Sequence, residues 1–182
     1  MLEYITMGMV LNKELTGYDI KKEIEDGIGS FYKASYGNLY PTLKRLTDKG
    51  YLTMNEQKQG NRLKKYYKAT EAGKESFLEW LSAPIDTNAS AESQLAQIFL
   101  YGELPKEIRD KRLQECEFFA EQGLRQLENL AKQLPNENMS DRDYFAISTL
   151  YYSLQNAYLT LHWLKFIKGQ RPFTQFLQRD NG

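Results

Sequence analysis

A single cysteine and a single histidine in 182 residues exclude much chemistry at the outset. Cys116 has no second thiol for an internal disulfide, and a lone cysteine fits a reducing compartment. One histidine, His162, cannot build a histidine-based metal cluster. It falls on a crowded apolar helix, where it reads as a hydrogen-bonded or interface residue before a general base. No apolar run approaches the ~20 residues of a membrane span. The opening MLEYITMGMVL carries Glu3 where a secretory leader would carry lysine or arginine, so a cytoplasmic location is expected. Neither a Gly-x-x-x-x-Gly-Lys-Ser/Thr phosphate loop nor a Gly-x-Ser-x-Gly elbow occurs. No cofactor or metal is expected, and the carboxylates are accounted for by solvated helix faces. Net charge is also missing: 24 basic residues balance 24 acidic ones, so no global field draws the chain to a polyanion.

The distribution of charge says more than its total. Between Lys44 and Lys68 stand eight basic residues and two acidic ones, a balance of +6, whereas residues 83–182 hold 11 basic and 13 acidic. A local cationic patch suffices for binding DNA, because each neutralised phosphate releases condensed counterions. The same lysines could also be an ordinary solvated hairpin.

The patch lies within residues 36–74, the most informative stretch. Leu39, Leu43 and Leu46 recur at helical spacing, and Gly50 stands where a C-terminal glycine would end the helix. Pro41 is tolerated only in a first turn, so either Asn38 caps this helix or Ser35 caps an earlier, bent start; Asn38 is favoured. Strand-like runs Tyr51 to Lys58 and Leu63 to Ala69 flank Gln59-Gly60-Asn61-Arg62, whose Gly-Asn pair suits a tight hairpin. Thr70 caps the next helix, with acidic Glu71 at its start. Upstream, an apolar helix over residues 2–11, a turn at 13–15 and a helix over 17–26 complete a helix-turn-helix with the hairpin as wing.

Downstream, APIDTNASA at 83–91 reads as a linker. The organisation expected is mainly α with a small β component: a winged helix-turn-helix over 1–82, the linker, and an all-helical dimerisation domain over 92–182. In the latter, Leu113, Cys116, Ala120, Gly123, Leu127, Leu130 and Leu134 alternate three- and four-residue spacings, a heptad seam ended by Pro135. Ser140 caps a last long helix that is apolar on several faces, through Tyr144, Ile147, Leu150, Tyr151, Leu154, Tyr158, Leu161, Trp163 and Leu164. Two helices cannot cover such a surface, and a second copy of the chain can.

With the three leucines facing the core, Asn38, Thr42 and Arg45 are the candidates for base edges or nearby phosphates, and Tyr40 and Lys44 for the DNA backbone. Tyr40 serves equally as a half-buried support. On the wing, Arg62 and Lys64 suit the minor groove or flanking phosphates, with Tyr66 on the face of Lys64 and Tyr67 in the core. Ser35, Tyr36 and Tyr18 add phosphate hydrogen bonds or, as readily, caps and packing. Trp80, Tyr152, Tyr158 and Trp163 line an effector pocket or form dimer core.

Gly37-Asn38-Leu39-Tyr40-Pro41-Thr42-Leu43-Lys44-Arg45-Leu46, followed by Lys49-Gly50-Tyr51-Leu52, resembles the helix-and-strand signature of PadR-type transcriptional regulators. Lys65-Tyr66-Tyr67-Lys68-Ala69-Thr70-Glu71-Ala72-Gly73 resembles their wing strand and helix start, and Gly17-Tyr18-Asp19-Ile20 their second helix. Ala69 departs from the pattern, since relatives more often carry a larger aliphatic residue there. The tail is similar to the longer PadR subfamily. The resemblance implies a homodimeric repressor of a nearby promoter, joined through its C-terminal helices and often released by a small molecule such as a phenolic acid. A winged-helix interaction adaptor without DNA binding is the competing expectation, and an enzyme a distant third.

Overall fold

The computed structural model describes residues 1–33, 36–60, 62–134, 139–170 and 172–174. Its contacts divide the chain into two compact units, Met1–Arg109 and Asp110–Gly182. The composition break at 83–91 predicted an earlier boundary. The difference comes from α5 (Ala91–Phe99) and the 3-10 turn Leu100–Glu103, which belong to the first unit. There Ala96, Leu100, Tyr101 and Leu104 are buried, and Asn12 donates to Glu103 at 3.2 Å.

The first unit is a helix-turn-helix with a three-stranded sheet. Helix α1 (Leu2–Met9) is buried through Ile5, Thr6, Met7 and Met9, so it forms the unit's centre. Thr16 starts α2 (Gly17–Ile28) with a capping box: its hydroxyl accepts from the Asp19 amide while Asp19 accepts from the Thr16 amide. Ile20, Ile24 and Ile28 supply the buried stripe of α2. A 3-10 turn over Tyr36–Asn38 leads into α3 (Leu39–Asp48). Asn38 is the boundary residue of α3, yet its side chain makes no cap bond. Pro41 falls in the first turn, where its missing N–H costs nothing. The other end closes as a Schellman motif: Gly50 takes φ +74° and donates to the Thr47 carbonyl, and Tyr51 donates to Leu46.

Strands β2 (Leu52–Gln59) and β3 (Arg62–Ala69) pair antiparallel, with Leu52 opposite Ala69 and Gln59 opposite Arg62. Each runs one residue further toward the tip than the sequence predicted. A short β1 (Leu15–Thr16) pairs with Tyr66 and Tyr67 of β3, giving the order β1-β3-β2. The sequence predicted a turn ending at Leu15; two residues carry no periodicity, and their partners lie some fifty positions away. Most of the hairpin stands in solvent, with Leu52, Tyr67 and Ala69 anchoring its base in the core. From there α4 (Glu71–Ser82) returns, burying Phe77 and Leu81.

The second unit is an antiparallel pair drawn from α6 (Lys106–Ala131) and α7 (Asp141–Lys168). Lys165 bridges to Glu121 at 3.0 Å, Lys168 to Glu117, and the Tyr158 hydroxyl donates to Glu128 at 2.6 Å. The predicted heptad seam is buried at Leu113 and Cys116, joined by Leu124, but Leu130 is half-exposed. On α7 Leu154, Leu164 and Phe166 are buried, and Ile147, Leu150 and Leu161 half-buried. Two heptad stripes, Tyr144-Tyr151-Tyr158 and Phe145-Tyr152-Leu159, stay exposed in the single chain, with Phe145 at 68% and Tyr152 at 71%. Among the described residues no helix is long and apolar enough to cross a membrane.

Candidate nucleic-acid interface

Helix α3 turns Leu39, Leu43 and Leu46 inward, as their spacing predicted, and presents Asn38, Tyr40, Pro41, Lys44 and Arg45 to solvent. Thr42 is the correction. It is 1% exposed, and its hydroxyl accepts a 3.2 Å bond from Nη2 of Arg45. A side chain so placed is not free to reach a base; it supports Arg45. A step of 100° per residue puts Thr42 on the flank of the leucine stripe, and packing against the rest of the unit covers that flank.

Tyr40, Lys44 and Lys64 come together along one groove of about 780 Å³ between the start of α2, the outer face of α3 and the hairpin. Tyr18, Met54, Lys65 and Tyr67 also line it. Tyr40 is 62% exposed, but its ring edge lies against Gly17, where a Cβ would stand 2.8 Å from Cε1. It therefore props α3 on α2 and offers its outer face to the groove. Tyr67, buried at the groove floor, has its phenol pKa pushed up, chiefly by desolvation.

Arg62 sits at the hairpin tip, exposed. Tyr66 is half-buried where β3 meets Thr16 of β1, so edge pairing accounts for it better than DNA contact. Ser35 lies outside the described residues. Trp80 stacks flat on Tyr4, centroids 4.2 Å apart at 6°, and tilts against Phe77, which makes it packing within the first unit. Tyr152 and Tyr158 are exposed on α7 and Trp163 is half-buried.

The cations divide into two sets. Lys44 pairs with Asp48 at 2.6 Å, Lys65 with Glu56 at 3.8 Å, and Arg45 and Lys49 both with Glu3, at 2.6 and 3.5 Å. Lys58, Arg62, Lys64 and Lys68, all on the hairpin, form no ion pair among the described residues. The hairpin thus carries the uncompensated charge, while Lys44 and Arg45 of α3 and Lys49 at its end are held by carboxylates. Glu3 is the residue that sequence reasoning missed. It lies on α1, 42 positions from Arg45, and no local pattern links the two. The Arg45 hydrogen bond holds its carboxyl below the ordinary glutamate range, against some desolvation and with help from Lys49. Among the described residues no group of three or more histidine, cysteine or carboxylate side chains could hold a metal.

The family model described as the transcriptional regulator PadR-like family matches residues 7–79. The negative transcriptional regulator PadR of Bacillus subtilis is 36% identical over 102 residues, 54% of this chain and 56% of that protein. That alignment therefore spans little more than half of the relative. Among solved structures, Bacillus subtilis PadR in complex with operator DNA aligns over 93% of this chain and 98% of its own, at 26% identity and a TM-score of 0.45. The same protein in complex with p-coumaric acid aligns over 93% and 97%, at 26% identity and a TM-score of 0.43. A PadR-like transcriptional regulator from Bacillus cereus gives 20% identity over 93% and 97%, with a TM-score of 0.42. Over residues 7–79, its winged helix, the chain is similar to the PadR-like family of transcriptional regulators.

Proposed function

We propose that this protein is a sequence-specific DNA-binding regulator of transcription, a homodimeric repressor in the cytoplasm that a small aromatic effector releases from its operator. One observation carries the reading: Tyr40 and Lys44 on the exposed face of α3 and Lys64 on the hairpin line one groove, in the same unit as the hairpin's other uncompensated cations, Lys58, Arg62 and Lys68. In that role α3 enters the major groove, the hairpin lies over neighbouring phosphates or the minor groove, and two subunits engage half-sites one helical turn or a multiple apart. Repression is supported by the curated name of the Bacillus subtilis relative. Dimerisation is supported by the two exposed aromatic stripes of α7. The chain's work is binding, not catalysis. Asn38, Tyr40, Lys44, Arg45, Arg62 and Lys64 are its DNA-contacting residues, and Thr42 acts through Arg45.

The test is affinity for the DNA upstream of its own coding region, measured against salt with unrelated DNA as competitor, and then with added p-coumaric acid. Competitor-resistant binding that weakens steeply with salt is expected, and release by the phenolic acid identifies the effector class. Binding no stronger than to unrelated duplex, there and at every sequence selected from a random library, defeats the reading. A protein-interaction adaptor then takes its place, a reading favoured by the internal pairing of half of the eight cations in the Lys44–Lys68 segment.

A further inference from the structure

We propose that Glu3 is a specificity-positioning residue: from α1 it clamps Arg45, jointly with Thr42, so that only the outer edge of the guanidinium is offered to a base pair. The inference rests on the DNA-binding reading above.

A guanidinium carries five N–H donors. The Nε–H of Arg45 goes to Glu3 Oε1 at 2.6 Å, and one Nη2–H goes to Thr42 Oγ1 at 3.2 Å. Three donors remain, two on Nη1 and one on Nη2. These include the fork that reads guanine O6 and N7 in a bidentate contact, the commonest specific contact in the major groove. Both anchors are firmly placed. Thr42 is buried in α3, and Glu3 stands on a helix whose next four residues include the buried Ile5, Thr6 and Met7. An unanchored arginine samples many rotamers and meets phosphates as readily as bases. An anchored one has paid for its ordering before DNA arrives, which is what a reading residue requires.

The carboxylate has a second effect of the same sign. Glu3 also reaches Lys49 at 3.5 Å, so a negative charge sits between two cations at this end of α3. It lowers the pull of that surface on any phosphate while leaving hydrogen bonding to a base intact. Specificity is a difference of affinities, and weakening the wrong contact raises it as well as strengthening the right one.

The test is selection of bound duplexes from a random-sequence library with the wild type, Glu3→Gln, Thr42→Val and Arg45→Ala, alongside affinity for an unrelated duplex and thermal melting. Glu3→Gln and Thr42→Val are expected to lose base preference at the same pair that Arg45→Ala loses. The ratio of specific to non-specific affinity should drop about tenfold in each, the lower half of what a bidentate contact discriminates. Affinity of Glu3→Gln for unrelated DNA should equal or exceed that of wild type. A merely structural role for Glu3 would instead lower both affinities together and lower the melting point. The proposal is overturned if both variants keep the wild-type preference at that pair, or if specific and unrelated DNA weaken in the same proportion. Should Glu3→Gln fold poorly, Thr42→Val alone decides, since it keeps the buried shape and removes only the acceptor. If the wild type itself selects no motif, the DNA-binding reading fails, and that outcome is visible before any variant is examined.

Discussion

At the scale of single residues the proposed function assigns reading to Arg45 and attraction to the hairpin, and substitutions should separate likewise. On the proposed function Arg45→Ala removes a forked contact and should cost about 1–3 kcal/mol at one base pair, read as relaxed preference there in a binding series of single-base operator variants. Lys64 on the hairpin has no carboxylate partner among the described residues. Lys64→Ala should weaken all sequences alike and reduce the slope of log affinity against log salt by about 0.9. Acid should act through Glu3. Arg45 and Lys49 face its carboxyl and hold its pKa below the ordinary 4.5. The ion pair's contribution is therefore complete above that value and is lost as pH falls below it through the depressed folded value. Wild type should lose stability in mild acid faster than Glu3→Gln, which chemical denaturation at a series of pH values will show.

At the scale of elements, the junction between hairpin and α4 is the most constrained. The Thr70 hydroxyl accepts from the Gly73 amide at 3.0 Å and lies 2.7 Å from the Gly50 carbonyl, joining the ends of α3, β2 and α4. Thr70→Ala should cost about 1 kcal/mol as a lost cap. Gly73→Ala should cost more, about 1–3 kcal/mol, because its Cβ would stand 2.1 Å from the Tyr51 carbonyl oxygen, a backbone atom that cannot swing aside. Urea denaturation of the two variants checks the order. These caps, the leucine stripe and the hairpin were legible in the sequence because each is a local pattern of three to eight residues. The role of Thr42, the strand at Leu15 and the clamp at Glu3 were not, because each depends on what another part of the chain covers or reaches. The place of α5 was illegible for the same reason. Only the burial of Ala96, and of Leu100 and Tyr101 in the 3-10 turn after it, tells which unit this short helix completes.

At the scale of the whole molecule, the proposed homodimer draws on the exposed rows of α7. Phe145 and Tyr152 lie seven residues apart on one of them. Wild type should sediment as a dimer, and replacing both with glutamate should convert it to a monomer in sedimentation equilibrium. The double replacement should also weaken operator binding far more than binding to a single half-site, since the second contact is then no longer intramolecular. That α7 is apolar on several sides was legible in the sequence; which rows face the chain's own α6 was not, because the rows differ little in composition. The lone cysteine draws on the same part of the fold. Cys116 is 7% exposed on the inner face of α6 and is the only thiol in the chain. A coloured disulfide reagent can therefore reach sulfur only when the helical unit opens, so its reaction rate becomes a clock for that opening, read without any label added to the protein.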